Sequence, residues 1–117
     1  MIVKNKEVVR RINEGFGAND VDKILSCLAD DIKWTIAGYS TAVGKEEFRK
    51  EIHNEDFEGI PVITIKNEIA EGDHVAVEGF VQSTIKGGEI FEAFFHNTYR
   101  LEDGKIKEMT SYVVPKK

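Results

Sequence analysis

Cysteine is almost missing from this chain. Cys27 is the only one in 117 residues, so no internal disulfide framework can staple the fold. Lone-cysteine usage fits a reducing compartment, and the expected location is cytoplasmic. Proline is scarce as well, with only Pro61 and Pro115, and there is no linker, internal repeat or low-complexity stretch. Positive charge runs short: 16 Lys and Arg stand against 21 Asp and Glu, a net charge of −5. A polyanion binder needs a basic stripe to replace phosphate counterions, so no nucleic-acid partner is expected. An anionic membrane surface is an equally poor partner. Apolar runs are only a few residues long, too short to cross a bilayer as a helix. The opening Met1-Ile2-Val3-Lys4-Asn5-Lys6 lacks the apolar stretch of a secretory signal peptide.

What remains is the composition of a globular domain, 41% apolar beside 32% charged. The chain is well above the roughly 70–80 residues below which staples become common. One domain over residues 1–117 is therefore expected. Val8, Val9, Ile12 and Phe16 share one face of a first helix. Gly15, Gly17 and Asn19 are expected to break it. Asn19 or Asp20 then caps a second helix carrying Val21, Ile24, Leu25 and Leu28, with Cys27 at the stripe's edge as a buried structural thiol. Ala29-Asp30-Asp31 closes that helix.

Ile32 to Ala37 alternates with period two and reads as a strand, with Ile32, Trp34 and Ile36 on one face and Lys33, Thr35 and Ala37 on the other. Gly38 to Thr41 reads as a loop. Gly44-Lys45-Glu46-Glu47 opens a short third helix anchored by Phe48 and Ile52. His53 to Gly59 reads as a polar loop containing Phe57. Four strands follow: Val62–Ala70, His74–Ile85, Ile90–Leu101 and Ile106–Val114, separated by glycine-bearing turns. The order α-α-β-α-β-β-β-β is that of an α+β domain with helices on one face of a bent antiparallel sheet.

Three stretches in this order resemble the nuclear transport factor two-like superfamily, in particular its SnoaL-like and ketosteroid-isomerase-like members. They are Ala29-Asp30-Asp31-Ile32-Lys33-Trp34-Thr35-Ile36-Ala37-Gly38, Gly44-Lys45-Glu46-Glu47-Phe48, and Asn97-Thr98-Tyr99-Arg100-Leu101-Glu102-Asp103-Gly104-Lys105-Ile106. The resemblance implies a cone-shaped, cystatin-like fold whose curved sheet wraps around the helices and leaves a pocket for a small apolar molecule. It also implies a homodimer through the outer sheet face. Steroid isomerases, polyketide cyclases, epoxide hydrolases and plain binding or assembly modules share this fold, so fold alone does not set function.

The isomerase chemistry needs a carboxylate base and two donors facing an oxyanion. Carried over position by position, the base falls on Thr35, the tyrosine donor on Ile12 and the protonated aspartate on Asn97. None of the three matches, although the Asn97 amide can still donate. The pocket that the resemblance implies combines Phe16, Phe48, Ile52 and Phe57 from the helical side with Thr35, Phe95, Asn97, Tyr99, Met109, Ser111 and Val113 from the sheet. This lining suits a neutral or weakly polar molecule. His53, His96 and Glu78 are the candidates for a noncanonical base. His96 alternates with Phe95 and Asn97 and so faces outward if they face inward. His53 reads as a surface-loop histidine near the pocket mouth, and Glu78 as an outward carboxylate or a buried base. His53, His74 and His96 lack metal-ligand spacing, and no metal or organic cofactor is implied.

Three functions stay open at this point. The first is a SnoaL-like protein with an interior pocket for a small, mostly apolar molecule. The second is an isomerase, hydrolase or cyclase with a noncanonical base. The third is a non-catalytic dimeric assembly module.

Overall fold

A computed structural model of the chain describes residues 2–52 and 57–116. Helix α1 spans Ile2–Ala18 and α2 spans Val21–Ser26. Strands β1 (Leu28–Ile36) and β2 (Ser40–Val43) precede α3 (Lys45–Ile52). The long strands β3 (Phe57–Glu71), β4 (His74–Ile85), β5 (Ile90–Glu102) and β6 (Lys105–Pro115) complete the order. Among the described residues these strands form one six-stranded sheet in the order β2-β1-β6-β5-β4-β3. Every pairing is antiparallel except β1 with β6.

The α1–α2 junction differs from the expected glycine break. Helix α1 runs through Gly15 and Gly17 and stops at Asn19, which adopts φ 54°. The Asn19 amide donates to the Phe16 carbonyl at 3.2 Å and the Asp20 amide to the Gly15 carbonyl at 2.8 Å, the paired bonds of a left-handed helix end. Asp20 then turns to the next helix, its Oδ1 accepting from the Lys23 amide at 3.1 Å. Gly15 is needed for packing rather than for a break. A Cβ there would lie 2.8 Å from Ile24 Cγ1, so only glycine lets α2 fold back this closely.

Three further boundaries move. Leu28 leaves the helix and opens β1 beside Ile106, because its side chain is buried equally well from the sheet. The segment expected as a loop after Gly38 ends in β2, which pairs Ser40 to Val43 against Ile36 to Lys33. Strand β3 begins at Phe57, before the expected Val62. Pro61 is tolerated there because β3 is the edge of the sheet and its pairing is irregular between Glu58 and Val62.

The sheet bends because its ladders are broken by bulges. Lys66 is an extra residue between the pairs Ile65–Gly79 and Asn67–Glu78. The concave face packs on the helices. Val9, Ile12, Ile24, Phe48, Val75, Val77, Leu101 and Ile106 form its buried core, with Cys27 among them as expected. Burial pushes the Cys27 thiol above its ordinary range, which suits an inert packing role.

Candidate functional site

Alternation along each strand decides what reaches the concave face. In β6, Met109 and Ser111 pair with Tyr99 and Asn97 of β5, and Val113 pairs with Phe95. In β1 the parallel register sets Trp34 beside Met109 and Ile36 beside Ser111. In the other half of the sheet Ile63 of β3 faces Val81 of β4. These side chains meet Asn13 and Phe16 from α1 around a cavity of about 180 Å³. An apolar cavity of about 150 Å³ already holds a benzene ring. The lining is therefore Asn13 and Phe16 on the helix, Trp34 and Ile36 on β1, Ile63 and Val81 on β3 and β4, Phe95 and Asn97 on β5, and Met109, Ser111 and Val113 on β6.

Trp34 is held from two sides. Its ring lies 4.5 Å from that of Phe48 and 6.2 Å from that of Phe16. Its indole Nε1–H donates to Ser111 Oγ at 2.9 Å across the parallel ladder. A second polar group lies below. The Tyr99 hydroxyl is buried, accepts from Asn97 Nδ2 at 3.3 Å and is also hydrogen-bonded by Asn13. Burial pushes the Tyr99 phenol up to about 12, with the hydrogen bonds from Asn97 and Asn13 opposing the shift. The polar atoms of the cavity are thus amides and hydroxyls. None of its eleven lining residues carries a side chain that titrates near neutral pH.

Of the expected pocket residues, Phe16, Phe95, Asn97, Met109, Ser111 and Val113 line this cavity. Tyr99 lies beneath Asn97, and Phe48 lies fully buried behind Trp34. Ile52 is half-buried against the core away from the cavity wall. Phe57 opens β3, and His53 lies outside the described residues. Thr35 needs correction. It points to the convex face, where its hydroxyl pairs with Thr41 at 3.4 Å. A one-residue slip in register exchanges the two faces of a strand, and burying Trp34 and Ile36 removes far more apolar surface from water than burying Thr35.

Asn13, Trp34, Ile36, Ile63 and Val81 were not among the expected lining. Trp34 and Ile36 carried a signal in their own apolar alternation. Asn13 carried one too, as a polar residue at i+4 from Val9 and i−3 from Phe16 within an apolar stripe.

Glu78 and His96 are exposed on the convex face and do not reach the cavity. They stand directly opposite each other in one transverse row that also holds Asn67 and Tyr112. Asn67 Nδ2 donates to Glu78 Oε1, and the His96 and Tyr112 rings lie 6.4 Å apart. Among the described residues no three His, Cys, Asp or Glu side chains cluster as metal ligands. No described helix is long and apolar enough to cross a membrane.

Residues 9–109 match the model of the SnoaL-like domain. Solved structures agree with the fold. An NTF2-like protein of unknown function from Burkholderia pseudomallei K96243 superposes with a TM-score of 0.85 at 24% identity, covering 92% of this chain and 88% of that one. An LEH-like epoxide hydrolase from M. tuberculosis gives 0.84 at 17% identity over 96% and 84% of the two chains. A protein with a ketosteroid isomerase-like fold from Catenulispora acidiphila DSM 44928, in complex with trimethylamine, gives 0.81 at 20% identity over 91% and 84%. No curated protein sequence matches the chain.

Proposed function

The chain belongs to the SnoaL-like domain family, and we propose that it is a binding protein for a small, uncharged, mostly apolar molecule held between helix α1 and the concave sheet face. One observation carries this reading. The cavity is walled by Phe16, Trp34, Ile36, Ile63, Val81, Phe95, Met109 and Val113, and its polar groups are confined to Asn13, Asn97 and Ser111. Such a wall rewards burial of apolar surface and offers a charge no partner. Proton abstraction needs a base within hydrogen-bond reach of the substrate, and no lining side chain supplies one. The same reading includes a homodimer through the convex sheet face, which exposes Val62, Phe94, Tyr112 and Val114.

Trp34 is the only tryptophan and sits in the cavity wall, so its emission reports occupancy. Titration with ethylbenzene is expected to change that emission saturably. Val81→Phe places a ring in the cavity and should weaken binding at least about tenfold, since it removes the space the ligand fills. His96→Ala, on the other face, should leave binding unchanged. A titration without saturation, or one that Val81→Phe leaves untouched, overturns the reading.

A further inference from the structure

Ser111 holds an unspent hydrogen-bond donor. Its side chain is buried, with 5% of the residue exposed, yet it belongs to the cavity wall. Its oxygen accepts the Trp34 indole proton at 2.9 Å. An indole N–H can only donate, so the direction of that bond is not in doubt. The serine hydroxyl therefore keeps its own proton, and it donates no hydrogen bond among the described residues. Directly across the ladder stands Asn97, whose amide nitrogen is already engaged with the Tyr99 hydroxyl. The indole thus orients the serine, and apart from Asn97 and Asn13 the rest of the wall is apolar.

We infer that Ser111 is the specificity-determining contact of the cavity, and that the ligand is an uncharged, ring-sized molecule with one hydrogen-bond-accepting oxygen set against the Ser111 hydroxyl. The inference rests on the proposed binding role and narrows it from any apolar molecule to an oxygen-bearing one. Size follows from the roughly 180 Å³ of space, which takes a single substituted ring. Charge is excluded because an ion in this wall would find no counterion and would keep little of its hydration. An acceptor is selected because a buried donor left unpaired is costly, so a ligand that satisfies it gains over an isosteric hydrocarbon that does not. Trp34 acts through Ser111 and is a positioning residue: without its N–H the hydroxyl is free to rotate.

The test compares acetophenone with ethylbenzene, which has nearly the same shape but no oxygen, by calorimetric titration of the full chain. Wild type should bind acetophenone about tenfold more tightly, and Ser111→Ala should reduce the ratio to near one. The carbonyl stretch of bound acetophenone supplies a readout that needs no variant. It should lie below its position in an apolar solvent in the wild-type protein, as a hydrogen-bonded carbonyl does. Equal binding of the two ligands by wild type, or an unshifted carbonyl stretch, overturns the inference and leaves the apolar cavity standing. Failure of both ligands to bind overturns the binding role and the inference with it.

Discussion

Tyr99 keeps a phenol where water does not reach, and that placement makes stability depend on alkaline pH. Below about pH 10 the phenol is neutral whether the chain is folded or not, so the folded state keeps its full advantage. Above that value the unfolded chain ionises first, while the folded phenol holds its proton up to about 12. The unfolded state then binds fewer protons, and the contribution of this residue to folding stability falls as pH rises. The slope attributable to Tyr99 should be about 1.4 kcal/mol per pH unit between these limits. Urea unfolding at several pH values, compared between wild type and Tyr99→Phe, checks it. The variant should start about 1–2 kcal/mol less stable, having lost the hydroxyl's hydrogen bonds, and should lack that part of the alkaline decline. Matching alkaline slopes in the two proteins would show that the phenol is not held neutral by burial.

At the scale of elements, the sheet's bend depends on a residue that has no side chain. Gly79 lies in β4 opposite Ile65, one step before the bulge at Lys66. A Cβ at Gly79 would sit 2.2 Å from the Thr64 carbonyl oxygen and 2.9 Å from the Phe95 ring. The oxygen belongs to the backbone and cannot swing away, and the ring belongs to the cavity wall. Gly79→Ala should therefore cost on the order of 2–3 kcal/mol, visible as a lowered urea midpoint, and should also disturb cavity binding. A wild-type midpoint would mean that β3 and β4 do not approach this closely.

The alternation of β4 and β5 was legible from Val75, Val77, Phe95 and Asn97, as was the helical stripe of α1. Alternation divided β5 and β6 into two faces, and the resemblance to relatives chose which of them lines the cavity. The bulge was not legible, because Ile65-Lys66-Asn67 continues a plausible strand pattern and the extra residue is defined only by its partner strand. Nor was β2, whose four residues carry too short a pattern to separate from a loop. The Thr35 error has a different origin. The register taken over from relatives set aside the apolar face that Trp34 and Ile36 already announced.

For the molecule as a whole, the two faces of the sheet pose different problems. The concave face is covered by the helices apart from the cavity. The convex face leaves Phe94 and Tyr112 each nearly half exposed, at 44% and 49%, on neighbouring strands. Phe94 packs against Phe80 with ring centroids 5.3 Å apart and planes tilted by 60°, and Lys66 and Lys116 reach over this pair at 5.8 and 5.6 Å from the ring centroids. Lysines over aromatic faces gain little while they remain in water and gain more once the site is desolvated. An aromatic patch with a charged rim is the composition of an association surface. The proposed homodimer would bury it face to face, with each copy supplying the same patch, as a twofold interface requires. Light scattering should then give a mass near twice the 13.2 kDa of the chain. Phe94→Glu should halve that mass, because two carboxylates brought toward one apolar interface lose their hydration without gaining a partner. It should leave ethylbenzene binding within about twofold of wild type, since the cavity opens on the other face of the sheet. A wild-type chain that is monomeric at micromolar concentration would remove the dimer while leaving the cavity's role intact. Loss of binding in monomeric Phe94→Glu would instead show that the convex face supports the cavity through the strands they share.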